Sequence, residues 1–354
     1  MSADSPPSST QWHTAAVMIV RDAAQGVVRA LDSIRPWVDE LVVLDTGSRD
    51  DTVARARAAG ARVAQMDWPD DFSQARNTAL ELAGADWHVV LDADEWLQDG
   101  GPALAGLRQQ DPGFVGTVEV DSQQGPGEAH ASSWLSRVLP GTVRYTGRIH
   151  EQPVHAWPVR RLPVRFGHDG YRPEALRAKA GRNAALLQAM LQAQPADAYL
   201  WYQYGKDHDV YERWSDAVAA FDRAEALLGT ARPAWLHDLV VRRLHALKRC
   251  ARHAQALDLA QAELADWGHS PDFFFALGDL LLDWAAEEPR LAPELIPMME
   301  QAWQQCLALG EHPELEGTVH GRGSHLAASN LALLYDTLGR ADDAAQARRL
   351  AVPA

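Results

Sequence analysis

Cysteine is nearly absent from this chain: its 354 residues hold two, Cys250 and Cys306. Two thiols in so long a chain make no disulfide framework. Both fall in helical-looking sequence and read as buried free thiols. Long apolar runs are missing as well. No stretch approaches the ~18 apolar residues of a spanning helix, so no transmembrane segment is expected. Basic charge is the third shortage, with a formal net charge of -15 and no Lys/Arg-dense stretch. A protein that tracks a nucleic-acid backbone needs a basic face, so nucleic acid is excluded as a partner. Arg160-Arg161 and Arg348-Arg349 read as solvated pairs. The Ser/Pro-rich start lacks both a basic n-region and an apolar h-region, which excludes a signal peptide. Residues 1–13 read as a disordered lead-in, and the chain as cytoplasmic.

What is present falls into two halves of different period. From Thr14 to about Phe166, short apolar runs alternate with helical stretches. Strands are expected at 15–20, at 40–44 ending on Asp45, at 61–66 and at 87–90, with helices at 27–37, 50–60 and 72–83. That alternation implies βαβ units and a mostly parallel sheet. Strands at 114–120 and 134–139 suggest a mixed edge. After Tyr171 the chain is Ala/Leu-rich and helical. Pro195, Pro233 and Pro271 recur every 38 residues, each opening an amphipathic stretch. Trp201, Tyr204-Gly205, Ala217, Phe221 and Ala224 fall at the positions of a tetratricopeptide helix pair, and Ala332, Tyr335, Gly339, Ala344 and Ala351 repeat them. Pro289, Pro293 and Pro297 are expected to interrupt the third unit. Trp201, Trp235 and Trp284 read as packing, not as ligand platforms. The expected organisation is an α/β domain over 14–171 and an all-α repeat domain over 172–354.

The chemistry concentrates at Leu91-Asp92-Ala93-Asp94-Glu95, directly after the apolar run Trp87-His88-Val89-Val90. Open α/β sheets bind ligands at the carboxyl edge of their strands. Two carboxylates one residue apart there suit a divalent cation that fills its shell with phosphate and water oxygens. Acidic strand ends also occur without a metal, so the neighbouring strand ends matter. The first ends at Arg21-Asp22. The second ends at Asp45, either a ligand acceptor or part of a turn in which Ser48 or Asp50 caps the next helix. Arg76, on the helix leading into the DxD strand, either closes over a base or phosphate or pairs with Asp70 or Asp71.

The string Val17-Met18-Ile19-Val20, Val38 to Ser48, Asp71 to Asn77, Asp86-Trp87 and Leu91 to Glu95 resembles the family-2 glycosyltransferases, which have the GT-A fold. Tyr145 to Gln152 and His168-Asp169-Gly170-Tyr171 are further matches. The branch it most resembles joins that domain to C-terminal tetratricopeptide-like repeats, as in the sublancin-type peptide S-glycosyltransferases. One departure is Arg21-Asp22-Ala23, where the family usually has Lys-Asn-Glu.

The resemblance implies a metal-dependent, inverting hexosyltransferase. The donor-binding residues would be Val20, Asp22, Asp45, Arg76, Asp92 and Ala93, with Asp45 and Arg76 on the base and Asp92 on the ribose of a nucleotide sugar, expected to be a UDP-sugar. Asp94 and His168 would hold Mn²⁺ or Mg²⁺, an imidazole ligand favouring Mn²⁺. Otherwise His168 is a turn histidine. Glu151 would be the catalytic base and Asp169 the reserve, unless Glu151 pairs with Arg148. An acceptor hydroxyl needs such a base because it is a poor nucleophile until deprotonated. A peptide or protein Ser, Thr or Cys is the expected acceptor, and a lipopolysaccharide or other surface glycan the alternative. A non-catalytic repeat scaffold is the rival from another class. An exposed solenoid face admits a homodimer.

Overall fold

Apolar β-branched runs bounded by helix caps fix the first half of the chain. In this computed structural model, which describes residues 11–123, 130–169 and 181–352, four parallel strands come first. They are β1 (Thr14–Val20), β2 (Glu40–Asp45), β3 (Arg62–Gln65) and β4 (Trp87–Val90). With β5 (Glu95–Asp99), β6 (Val115–Gln123), β7 (His130–Pro140) and β10 (Val159–His168) they form an eight-stranded sheet ordered β3-β2-β1-β4-β7-β6-β10-β5. β8 (Arg144–Thr146) and β9 (Gln152–Val154) form a separate antiparallel pair.

Alternation along the strands builds two cores. Ala16, Met18 and Val20 of β1 pack on the side of α1 (Val27–Ile34), while Ala15 and Val17 pack on the side of α3 (Phe72–Ala83). Successive side chains in a strand point to opposite faces, so both faces of this sheet are apolar, as a parallel sheet covered on both sides requires. Asp71 caps α3 by accepting from the Gln74 N–H at 3.0 Å, and Gly84, at φ 58°, closes it. The expected helix over 27–37 stops at Ile34 and tightens into a 3₁₀ turn over Arg35–Trp37. Pro36, without an N–H, cannot continue the α ladder. The helix expected over 50–60 is Thr52–Ala58, here α2.

β5 and β10 were not expected as strands. β10 exposes Val159, Arg160, Arg161 and Arg165, and β5 is buried only at its start, so neither shows a clean apolar face in sequence. The expected strands at 114–120 and 134–139 are longer, at 115–123 and 130–140.

The chain divides into two compact units, residues 1–124 with 133–178, and 125–132 with 179–354. The boundary expected at 171/172, the matches Gly170 and Tyr171, and most of the lead-in, residues 1–10, lie outside the described residues. The second unit pairs helices Ala198–Val210 with Trp214–Leu228, Leu236–Arg249 with His253–Trp267, Pro271–Glu287 with Ala292–Leu309, and His325–Thr337 with Ala341–Leu350. Small residues let the pairs close. A Cβ at Gly205 would lie 2.4 Å from the Phe221 ring, and one at Gly278 2.4 Å from Trp303. The third pair is intact, contrary to the expected interruption. Pro293 sits in the first turn of its helix, where the missing N–H costs nothing, and Pro297 is accommodated within it. Trp235 stacks on Tyr202 at 4.8 Å, as a packing residue would. Both cysteines are free, Cys306 buried and Cys250 partly so, and burial pushes the Cys306 thiol up to about 12.

Candidate functional site

The carboxyl ends of β1, β2 and β4 meet at one edge. Asp92, Ala93 and Asp94 form the turn from β4 into β5, and the turn is closed in two ways: Glu95 N–H donates to Asp92 O at 3.0 Å, and Asp92 N–H donates to Glu95 Oε2 at 3.0 Å. The start of α1 supports it from below. A Cβ at Gly26 would stand 2.2 Å from the Ala93 carbonyl oxygen, so only glycine fits under the turn.

Asp92 lies between two guanidiniums. Arg76 Nη2 donates to its Oδ1 at 2.9 Å and Arg137 Nη2 to its Oδ2 at 2.9 Å. Arg76 also binds Glu151 through Nε, and Arg137 also binds Glu95. The result is a row of alternating charge, Glu151–Arg76–Asp92–Arg137–Glu95, largely buried but with the Asp92 side chain 28% exposed. Burial alone would push Asp92 up, but the two arginines hold its carboxyl far below the usual carboxylate range. Burial pushes the Glu95 carboxyl up against the pull of Arg137. Burial likewise raises Tyr145 to about 12; its hydroxyl has no hydrogen-bond partner among the described residues, and its ring lies 5.6 Å from the Arg76 guanidinium. Arg76 therefore pairs with neither Asp70 nor Asp71, and the partner of Glu151 is Arg76 and not Arg148.

Beside this row stand Asp94 and His168, with imidazole Nε2 3.6 Å from Asp94 Oδ2. His168 is set by its neighbours in the sheet. It pairs with Glu95 on β5 and with Ser122 on β6, and its Nδ1 lies 3.1 Å from Ser122 Oγ. Its other nitrogen is thereby turned toward the DxD turn. Among the described residues no three His, Cys, Asp or Glu side chains converge into a ready cage. Asp94 and His168 still fit a divalent ion bound with a diphosphate, which needs few protein ligands. Asp169 follows directly. Its N–H donates to Asp94 O at 3.1 Å, and its carboxylate takes Arg29 Nη2 at 2.9 Å, with that guanidinium 3.9 Å above Trp96.

The remaining sequence candidates line the β1 and β2 ends. Asp45 is fully buried and accepts from the Gly47 and Ser48 N–H groups at 3.2–3.3 Å and from Gln65 Nε2 at 3.3 Å. Its turn thus engages the carboxylate itself. Ser48 does not cap α2; its hydroxyl accepts from the Asp22 N–H at 2.9 Å. Asp50 accepts from the Thr52 N–H at 2.9 Å, a cap-like bond. Asp22, at φ 49°, returns a bond by accepting from the Arg49 N–H at 2.7 Å. The carbonyl of Val20, also a donor-site candidate, accepts from Thr46 N–H and hydroxyl at 2.9 and 3.0 Å. The departing Arg21-Asp22-Ala23 motif is therefore used to lace the two loops together.

Arg137 and Arg29 escaped the sequence reading. Arg137 lies inside β7, and its two-residue offset from the buried Leu139 places it on the same face as Val90.

Residues 15–163 match the family model described as glycosyl transferase family 2. A TPR repeat-containing protein of Synechococcus elongatus is 39% identical over 207 residues, 53% of this chain and 50% of that protein. The SPbeta prophage-derived glycosyltransferase SunS of Bacillus subtilis is 26% identical over 212 residues, 57% of this chain and 50% of that one. The chain thus spans about half the length of the curated relatives it matches. Among solved structures, glucosyl-3-phosphoglycerate synthase from Mycobacterium tuberculosis with Mn²⁺, UDP and glucosyl-3-phosphoglycerate is 27% identical, covering 32% of this chain and 44% of that one at a TM-score of 0.26. MamA is 15% identical, covering 51% of this chain and 92% of its own at a TM-score of 0.38. The family match falls within the first unit of the fold and the second unit is an array of helix pairs, so the chain resembles a glycosyl transferase family 2 domain joined to tetratricopeptide-like helical repeats.

Proposed function

We propose that this chain transfers a sugar from a nucleotide-sugar donor to a peptide or protein side chain, with a divalent cation at Asp94 and His168. The observation that carries the reading is the Asp94–His168 pair, 3.6 Å apart at the carboxyl edge of the parallel strands. The family match supports glycosyl transfer, and the sequence resemblance to the sublancin-type peptide S-glycosyltransferases supports a peptide acceptor.

In this reading Asp45, Arg76 and Asp92 hold the nucleoside, with the Val20, Asp22 and Ala93 backbone around it. Arg76 is positioned for this by Glu151 and Asp92, which grip its guanidinium from two sides. When bound, Mn²⁺ or Mg²⁺ offsets the charge that develops on the departing diphosphate. One carboxylate takes the acceptor proton as the new bond forms, and a single in-line displacement inverts the sugar carbon. Glu151 and Asp169 are the two candidates for that base. Each is paired with an arginine, Glu151 with Arg76 and Asp169 with Arg29, and the Asp169 backbone is also bonded to the Asp94 turn.

Calorimetric titration with UDP-, GDP-, CMP- and dTDP-sugars, with Mn²⁺ and with chelator, tests the donor half. Metal-dependent binding of one class is expected. No donor binding by the folded protein sinks the enzyme reading and leaves a repeat scaffold. Mass spectrometry of peptide and glycan acceptors incubated with the bound donor tests the other half, and modification of the glycan alone would replace the peptide assignment.

A further inference from the structure

We infer that Arg137 is the positioning residue of the DxD turn, gripping Asp92 and Glu95 together so that Asp94 faces His168. The inference rests on the metal reading of Asp94 and His168 proposed above and deepens it.

Three observations converge. The turn spans only Asp92 to Glu95, and both of its ends are held by one nitrogen of one guanidinium: Arg137 Nη2 binds Asp92 Oδ2 at 2.9 Å and Glu95 Oε1. Glu95 is 3% exposed and pairs directly with His168 across β5 and β10. Whatever fixes Glu95 therefore fixes the strand that carries His168 relative to the turn that carries Asp94. Finally, Arg137 Nε is buried without a partner among the described residues, so the guanidinium is held at this point by its two carboxylates. Arg76 touches the same Asp92 but leads away to Glu151, on the nucleoside side. The two arginines thus divide the work: Arg76 serves the nucleotide, Arg137 the metal turn.

Groups that orient metal ligands without touching the ion typically change metal affinity ~10–100-fold when removed. Mn²⁺ binding to the full chain, followed by the loss of the free-ion electron paramagnetic resonance signal with and without UDP, reads this directly. Arg137→Met should weaken Mn²⁺ binding by ~10–100-fold. Arg137→Lys should restore part of it, because an ammonium keeps the charge without the planar fork. In an Asp94→Asn background, Arg137→Met should cost much less than in the wild type, since its effect passes through the placing of Asp94 against His168. Unchanged Mn²⁺ affinity in folded Arg137→Met, or a full additional loss in the Asp94→Asn background, overturns the inference. Should Arg137→Met fail to fold, Glu95→Gln takes its place. It keeps an oxygen for the Asp92 N–H while losing the charge that Arg137 grips, and an affinity equal to wild type would overturn the inference equally. Absence of Mn²⁺ binding in the wild-type protein, with and without UDP, is a different result: it removes the metal reading itself, and this inference with it.

Discussion

Gly26 lies beneath the Ala93 carbonyl, where a methyl group would sit 2.2 Å from an oxygen of the backbone. Backbone cannot swing aside as a side chain can, so Gly26→Ala should lift the Asp92–Asp94 turn. We expect a loss of about 1–3 kcal/mol of stability and weaker Mn²⁺ binding, checked by urea unfolding and ion titration. His88 makes a second prediction. Burial, followed by the nearby Arg144 charge, lowers this β4 imidazole to about 4, and neither ring nitrogen has a partner among the described residues. The unfolded chain, titrating near 6.5, binds the proton more readily, so this contribution is fully present above that pH. It is lost as pH falls from 6.5 through about 4. Between pH 7 and pH 5 the loss should be about 2 kcal/mol. His88→Leu should flatten that slope, and urea midpoints at the two pH values decide it. At this scale Asp92 and Asp94 stood out as acidic residues at a strand end, whereas His168 was reached only through the family resemblance. Arg137 was not legible, because an arginine on a strand is ordinarily solvated, and its burial depends on which face of β7 is turned inward.

Among the elements, α3 was the most legible. The helix expected over 72–83 is Phe72–Ala83, with Asp71 capping its start and Gly84 closing it. Asp71→Ala removes the bond to the Gln74 N–H, and the cap should be worth about 1 kcal/mol. Because Arg76 rides on α3, donor binding should weaken along with a fall in melting temperature of about 2–4 °C. Unaltered melting would show that tertiary packing, not the cap, holds the helix start. β5 and β10 were hidden for the opposite reason. Their partners are far away in sequence, and a strand recognised mainly by its neighbours leaves no local signature. In the repeats, the segment between the third and fourth helix pairs is longer than a simple turn. It is tied down by Val319 N–H and Arg322 Nη1, both donating to Asp272 Oδ1 at 2.9 Å. The sequence marked its flanking helices but not these bonds, which join residues 47 and 50 positions apart.

For the whole molecule, the change of period near Tyr171 revealed two kinds of architecture. Each of the four apolar clusters draws its residues from one unit alone. Calorimetry should therefore separate two unfolding transitions. UDP with Mn²⁺ at 100 times its dissociation constant should stabilise the first unit by about 2.7 kcal/mol and leave the repeat transition in place. Equal shifts of both would mean that the units unfold as one. The sheet itself sets a condition on altering this protein. His168 meets the Asp92–Asp94 turn because β10 is in register with β5 and β6 there, after irregularities between Arg165 and Phe166 toward β5 and between Arg161 and Arg165 toward β6. Adding or deleting a single residue between those irregularities and His168 would turn the imidazole to the opposite face. A one-residue indel there would thus erase the site while changing none of its members.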